Sequence, residues 1–322
     1  MLSRVADSLY WMSRYLERAE HTARVLNVNL HGLLDQKAHL GEQRWARALH
    51  SLHVDLASEP SMVPLEYAHA LTYDPEMNGS VVRCVATARK NAREVREEIS
   101  TEMWEQINRL ALHIRTIDRD GVRQGHAHAF FQEVKEGSHL FQGITDATIS
   151  HDDGWHFIQL GRFIERVQAT VSLLNAHLGA DAPEADPDER HTEWVDLLKS
   201  CTAFEAYCRS YSVHVEPDRV VEFLLLDPYF PHSVRFGVRA IRTSLEALAE
   251  TTPQLKQGDA LRAVGRLSSM LRFDAIEEIL GGDVVEYLTA IRTGCSMVHR
   301  ELFDACVSYP IESALTVQTA SQ

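Results

Sequence analysis

The chain has little of what interrupts helices. Its 322 residues include 10 Pro and 16 Gly, and β-branched residues form no long run, so long helical segments can persist. It has five cysteines, Cys84, Cys201, Cys208, Cys295 and Cys306, with no C-x-x-C pair. That pattern excludes a disulfide framework and a thiolate zinc site, and an odd count points to a reducing compartment. Cys201 and Cys208 read as two turns apart on one helix, about 10 Å and beyond disulfide reach. Positive charge is also scarce. At a net charge of −14 the chain lacks the clustered Lys and Arg that a nucleic-acid backbone demands. No apolar run is long enough to span a membrane: Val220 to Leu226 is short and carries Glu222. Near the N-terminus Arg4, Asp7, Arg14 and Glu17 interrupt any secretory leader, so a cytoplasmic protein is expected. There is no phosphate-cradling glycine loop, since Gly281-Gly282 alone is too short.

The residues that are present make helices. With 45% hydrophobic and 24% charged residues, a chain of this length buries a large core. The clearest stretch is the first. Leu2, Val5, Leu9, Met12, Leu16, Ala19, Ala23, Leu26, Leu30 and Leu33 recur at alternating three- and four-residue steps, the seam of a packed helix. Its other faces carry Trp11, Tyr15, Arg14, Glu17, Arg18 and His21, so the helix takes charges into the interior, where they need partners. Within the helix, Glu17 reaches Arg14 and His21, and Glu20 reaches Arg24.

Further helices are expected at about 42–57, 81–99, 101–117 and 122–150, the second of these stretches capped by Asn78 or Ser80. A loop carrying Pro60, Pro64, Asp74 and Pro75 separates the first two. The seam then restarts with Phe157, Leu160, Ile164, Val167, Val171, Leu174 and Leu178. Glu165 aligns with Glu17, and Arg162 and Arg166 with Arg14 and Arg18. Ser80-Val81 similarly aligns with Ser233-Val234. Helices at about 193–212, 231–250, 258–273 and 283–308 complete the second half. The expectation is an all-α bundle of about twelve helices in two similar halves, 1–150 and 151–309, with a loose tail over 310–322. The acidic, proline-containing stretch 180–191 reads as a solvated loop. The first helices of the two halves are expected to meet.

Two interpretations of the charges are open. Glu17, Glu165 and their arginines form a buried network that fixes the docking of the halves. Alternatively, the arginines bind an anion, with Glu17 or Glu165 orienting them or serving as acid and base. Arg93 and Arg96 align with Glu246 and Ala249, so packing alone does not require them. Arg14, Arg18, Arg24, Arg89, Arg93 and Arg96 are therefore the leading anion ligands, with Arg162 and Arg166 in the second half. A di-iron bundle requires Glu-x-x-His on two helices, whereas Glu17 and His21 are four apart and Ala169 stands opposite His21. No metal and no cofactor are expected. His126 and His128 diverge on a helix, and His151-Asp152-Asp153 reads as a helix cap.

Several segments together resemble the alpha-E domain family. They are Leu2-Ser3-Arg4-Val5-Ala6, Tyr10-Trp11, Arg14 to Glu20, Thr22-Ala23-Arg24, Ala88 to Arg93, Arg96, Trp104, Asn108, Gly161 to Arg166 and Asp227 to Ser233. Lys90 stands where relatives tend to have Glu, and His232 where an Arg is common. The resemblance implies an all-helical bacterial protein with a Glu-Arg motif, encoded beside ATP-grasp-like and transglutaminase-like proteins, and it carries over no catalytic residue. The expected role is a binding or scaffold subunit of such an amide-ligase or peptide-processing system, holding an anionic ligand or a partner. The alternatives are an enzyme with a buried Glu as acid/base and a structural oligomer.

Overall fold

The computed structural model describes residues 3–33, 38–54, 63–116, 127–179, 187–253, 255 and 258–306. Among them are fourteen helices and no strand. In chain order these are α1 (Ser3–Leu33), α2 (Ala38–Ser51), α3 (Pro64–Tyr73), α4 (Val81–Glu94), α5 (Thr101–His113), α6 (Ala127–Thr148) and α7 (Asp153–Leu178). They continue with α8 (Pro187–Ser200), α9 (Phe204–Ser210), α10 (Pro217–Leu226), α11 (Val234–Thr251), α12 (Asp259–Phe273), α13 (Ile276–Gly281) and α14 (Val284–Cys306).

The first helix is buried along the expected seam. Leu9, Met12, Leu16, Ala19, Ala23 and Leu26 are all 2% exposed or less. It packs between α4 and α6, and α5 closes that group from the far side. The other long buried helix, α7, packs between α11 and α14, closed in turn by α12. The two groups meet where α1 lies against α7, as expected. That contact is unusually close at Gly161. A Cβ there would fall 2.2 Å from Ser13 Oγ and 2.3 Å from the Tyr10 carbonyl oxygen. The absent side chain lets Ser13 donate across to the Ile158 carbonyl at 2.7 Å.

The turns before α4 and α11 are built alike. Ser80 caps α4 by accepting from the Arg83 amide and donates to the Asp74 carbonyl at 2.5 Å. Ser233 caps α11 by accepting from the Phe236 amide and donates to the Asp227 carbonyl at 2.5 Å. Each hydroxyl thus satisfies an orphan amide at a helix start and staples the preceding turn to it.

Several expectations need correction. Residues 64–73, read as loop because of their prolines, form α3: Pro64 stands at the first helical position, where its missing N–H costs nothing. The apolar run before Asp227 is α10, opened in the same way by Pro217. The single helix expected at 193–212 is two, α8 and α9, broken where Thr202 takes a left-handed backbone at φ 54°. Cys201 and Cys208 are therefore not on one helix face; all five thiols are free. A short helix, α13, was not anticipated. The α8 helix starts inside the stretch read as loop, whereas 180–186 lie outside the described residues, as do His126 and the tail from 307. Asp152 does cap α7, accepting from the Gly154 amide.

Candidate functional site

Charges meet across the α1–α7 contact in a reciprocal pattern. The Glu165 carboxylate accepts from Arg14 Nε at 2.7 Å, and from Arg18 through Nε at 2.5 Å and Nη2 at 3.0 Å. The Glu17 carboxylate accepts from Arg166 through Nε at 2.5 Å and Nη2 at 2.9 Å, and from the Gln142 amide at 3.2 Å. Helix spacing would have allowed Glu17 to pair with Arg14 on its own helix. The structure instead sends each glutamate to the opposite helix, so the charges join the two groups of helices. The Glu20–Arg24 pair within α1 is formed as expected.

Both carboxylates are held ionised. Burial alone would raise their pKa, but the adjoining guanidinium charges and hydrogen bonds outweigh it. Arg166 lowers Glu17, and Arg14 and Arg18 bring Glu165 down to about 2. Burial lowers Arg24 and Arg162 to about 10, still charged at neutral pH. It also brings the His21 ring to about 4, despite the nearby Glu17 charge, and His232 well below its usual range. Both rings are therefore neutral at pH 7.

The neighbours of Arg14 are fixed as well. Its Nη2 donates to Gln168 Oε1 at 2.9 Å and its Nη1 to the Tyr10 hydroxyl at 3.2 Å. Because a guanidinium only donates, the Tyr10 proton goes to His299 Nδ1 at 2.8 Å, which ties α14 to the network.

The Glu165 side opens onto a cavity of about 270 Å³. Its walls are Arg18, His21, Thr22, Ser51, Leu52, His53, Leu71, Asn78, Gly79, Glu165, Gln168 and Ala169. The Glu17 side has no comparable space: beside Glu17, Gln142 and Arg162 there is a gap of about 10 Å³, enough for one water. A gap of about 20 Å³ lies at the α2–α8 contact, where Arg44 pairs with Asp196 at 2.7 Å and Arg47 with Glu193. Among the described residues no group of three or more His, Cys, Asp or Glu is placed to hold a metal ion.

The proposed arginine ligands fall into separate sets. Arg14, Arg18, Arg162 and Arg166 gather at the α1–α7 contact. Arg89, Arg93 and Arg96 do not join them. Arg89 donates to Asn108 at 2.7 Å and lies over Trp104, as does Arg96, so this row turns to α5. Arg93 and Arg96 are exposed, on the side of the chain away from the buried Ala92 and Val95. Three cavity residues were missed in the sequence: His53, Gln168 and Asn78. Asn78-Gly79 was visible only as a helix start. His53 follows α2 at φ 59°, a strained backbone for a histidine, and its Nε2 meets Ser172 Oγ at 3.1 Å. Nothing in the local pattern announces that conformation.

These features define a class: an all-helical domain organised on a reciprocal arginine–glutamate contact between its two longest helices. The chain belongs to the Alpha-E family, whose model describes a predicted alpha-helical domain with a conserved ER motif and matches residues 1–305. In this chain Glu-Arg occurs at 17–18, 165–166 and 189–190, and the first two of these pairs face each other. An uncharacterized protein of Mycobacterium bovis is 26% identical over 301 residues, covering 86% of this chain and 33% of that protein. An uncharacterized protein of Mycobacterium tuberculosis matches at the same identity and shares. The chain thus spans about a third of the length of the curated relatives it matches. No solved structure matches it. No helix among the described residues is long and apolar enough to cross a membrane.

Proposed function

We propose that this protein is a non-catalytic binding subunit of a cytoplasmic amide-ligase or peptide-processing system, partnered by ATP-grasp-like and transglutaminase-like proteins. It holds an anionic ligand, or the anionic end of a partner, in the cavity beside Arg18. The carrying observation is that cavity: its guanidinium is one-third exposed although it is already paired with Glu165. The family resemblance supplies the partners. The relatives' greater length fits a domain that works joined to other parts.

Acid–base catalysis by Glu17 or Glu165 is the weaker reading. A general base works best with a pKa near the working pH. Both carboxylates are held well below that, and arginines occupy their oxygens. The similar order of packing in the two groups of helices is part of the same reading: two halves of one ancestral unit, only one of which keeps an open site.

Co-expression with an ATP-grasp-like and a transglutaminase-like protein from the same genome, followed by size-exclusion chromatography with light scattering, tests the role. A stoichiometric complex whose ligase turnover depends on this chain is expected. A lone monomer without effect on turnover, or a homo-oligomer that excludes both proteins, would overturn it.

A further inference from the structure

The two ion-pair sites differ in one donor, and that difference narrows the ligand. Arg166 uses all three of its nitrogens: Nε and Nη2 go to Glu17, and Nη1 donates to the Pro231 carbonyl at 3.4 Å. The next residue, His232, is half-buried, and its carbonyl accepts from Thr170 at 3.1 Å. On the other side Thr22 makes the matching contact to the Gly79 carbonyl at 3.5 Å, but Gly79 brings no side chain to fill the space. Arg18 spends Nε and Nη2 on Glu165, and its Nη1 has no partner among the described residues. Gln168 adds a second donor. Its Oε1 must face Arg14 Nη2, because the guanidinium can only donate, so its amide NH₂ is the end without a partner among the described residues. Asn78, exposed at the rim, contributes another amide.

Arg14 and Arg18 share a single carboxylate, so this wall carries about one positive charge in excess. The lining also includes short apolar side chains: Leu52, Leu71 and Ala169. Building on the anion-binding reading, we infer that the cavity takes a single carboxylate on a short aliphatic body, held by Arg18 Nη1 and the Gln168 amide. A free short-chain carboxylic acid and the C-terminal residue of a peptide both present that group. Phosphate and pyrophosphate carry more charge than the wall can balance and leave the apolar side chains without contact.

The test is isothermal titration of the full chain with propionate, with acetyl-alanyl-alanine bearing a free or an amidated C-terminus, and with inorganic phosphate and pyrophosphate. The free-acid forms are expected to bind and the amidated peptide not. Arg18→Gln should weaken binding by about tenfold or more, at an unchanged circular-dichroism spectrum, since Glu165 keeps Arg14. Gln168→Glu, which puts a negative charge in the same place, should do the same and serves if Arg18→Gln folds poorly. Binding of propionate without the peptide identifies a free metabolite; binding of the free-acid peptide identifies a chain end; each supports the carboxylate assignment. Phosphate or pyrophosphate binding through Arg18, with no carboxylate binding, would overturn this inference and leave the anion-binding reading standing. Binding of no anion, or binding insensitive to both substitutions, would overturn both.

Discussion

Glu17 and Glu165 occupy corresponding places on two crossing helices, yet one is sealed and the other borders a void. At the Glu17 site the paired Arg166 is 6% exposed and the carboxylate 2%. At the Glu165 site Arg18 is 33% exposed and the carboxylate 11%. The same residue types in the same order therefore give an architectural joint in one place and an accessible cation in the other. What separates them is the neighbouring turn: the Pro231 carbonyl and the half-buried His232 close one, Asn78 and Gly79 leave the other open. The charged motif alone does not define a binding site; the residue that fills or vacates the adjoining space decides.

The comparison can be broken most sharply at Glu17. Glu17→Gln strands Arg166 without its carboxylate, beside a buried Arg162, and should cost about 3–5 kcal/mol in chemical denaturation. Glu165→Gln should cost about as much: water reaches Arg18, but Arg14, 7% exposed, also loses its carboxylate. A much smaller loss would mean that Arg14 finds water or another partner. Gly161→Ala comes next, at about 1–3 kcal/mol or more, since its Cβ meets backbone as well as Ser13 and the helices must part. Arg166→Gln and Arg18→Gln sharpen the contrast: the first leaves Glu17 with only the Gln142 amide, whereas the second leaves Glu165 paired with Arg14 and should cost about 1 kcal/mol.

The pH dependence has two windows. His21 has a folded pKa of about 4 against 6.5 when unfolded, so the unfolded chain binds the proton first. Stability is full above about pH 6.5 and declines toward pH 4, and His177, also held near 4, adds to the fall. Glu165, at about 2 against 4.5, adds a second decline between those values as its ion pairs are lost. His21→Phe should make the first window shallower without abolishing it, since His177 still titrates there, and should leave the second; melting curves from pH 7 to pH 3 would show whether it does. The smallest expected effect is that of Arg93→Ala, within about 0.5 kcal/mol, because Arg93 is exposed on the last turn of α4. A larger loss would show that the α4 row is part of the joint.

Much of this arrangement was legible in the sequence, and the rest was hidden for physical reasons. The α1 seam and the second seam in α7 showed plainly, because apolar periodicity reports directly which face is buried. The Glu-Arg motifs showed as residues that needed partners. Their partners did not: residues three apart on a helix are neighbours, so Arg14 could pair with Glu17 as readily as with Glu165, and only the crossing of α1 over α7 decides. The α3 helix was obscured because proline marks a loop and a helix start equally well. The cavity was invisible, since it depends on a missing side chain at Gly79 and on the backbone of His53, neither of which periodicity records.

The reciprocal ion pairs also set an order of events on the ribosome. Arg14 and Glu165 are 151 residues apart, and Glu17 and Arg166 are 149 apart. At bacterial elongation rates, roughly ten to thirty seconds separate the emergence of the first partner from that of the second. For that interval α1 carries charges whose partners on α7 have not yet been made. It can dock on α4 and α6 but cannot complete its far face. The α1 face that meets α7 thus stays uncovered until α7 is made, and truncations that end before α7 should yield soluble intermediates only when a chaperone or an added α7 segment covers that face.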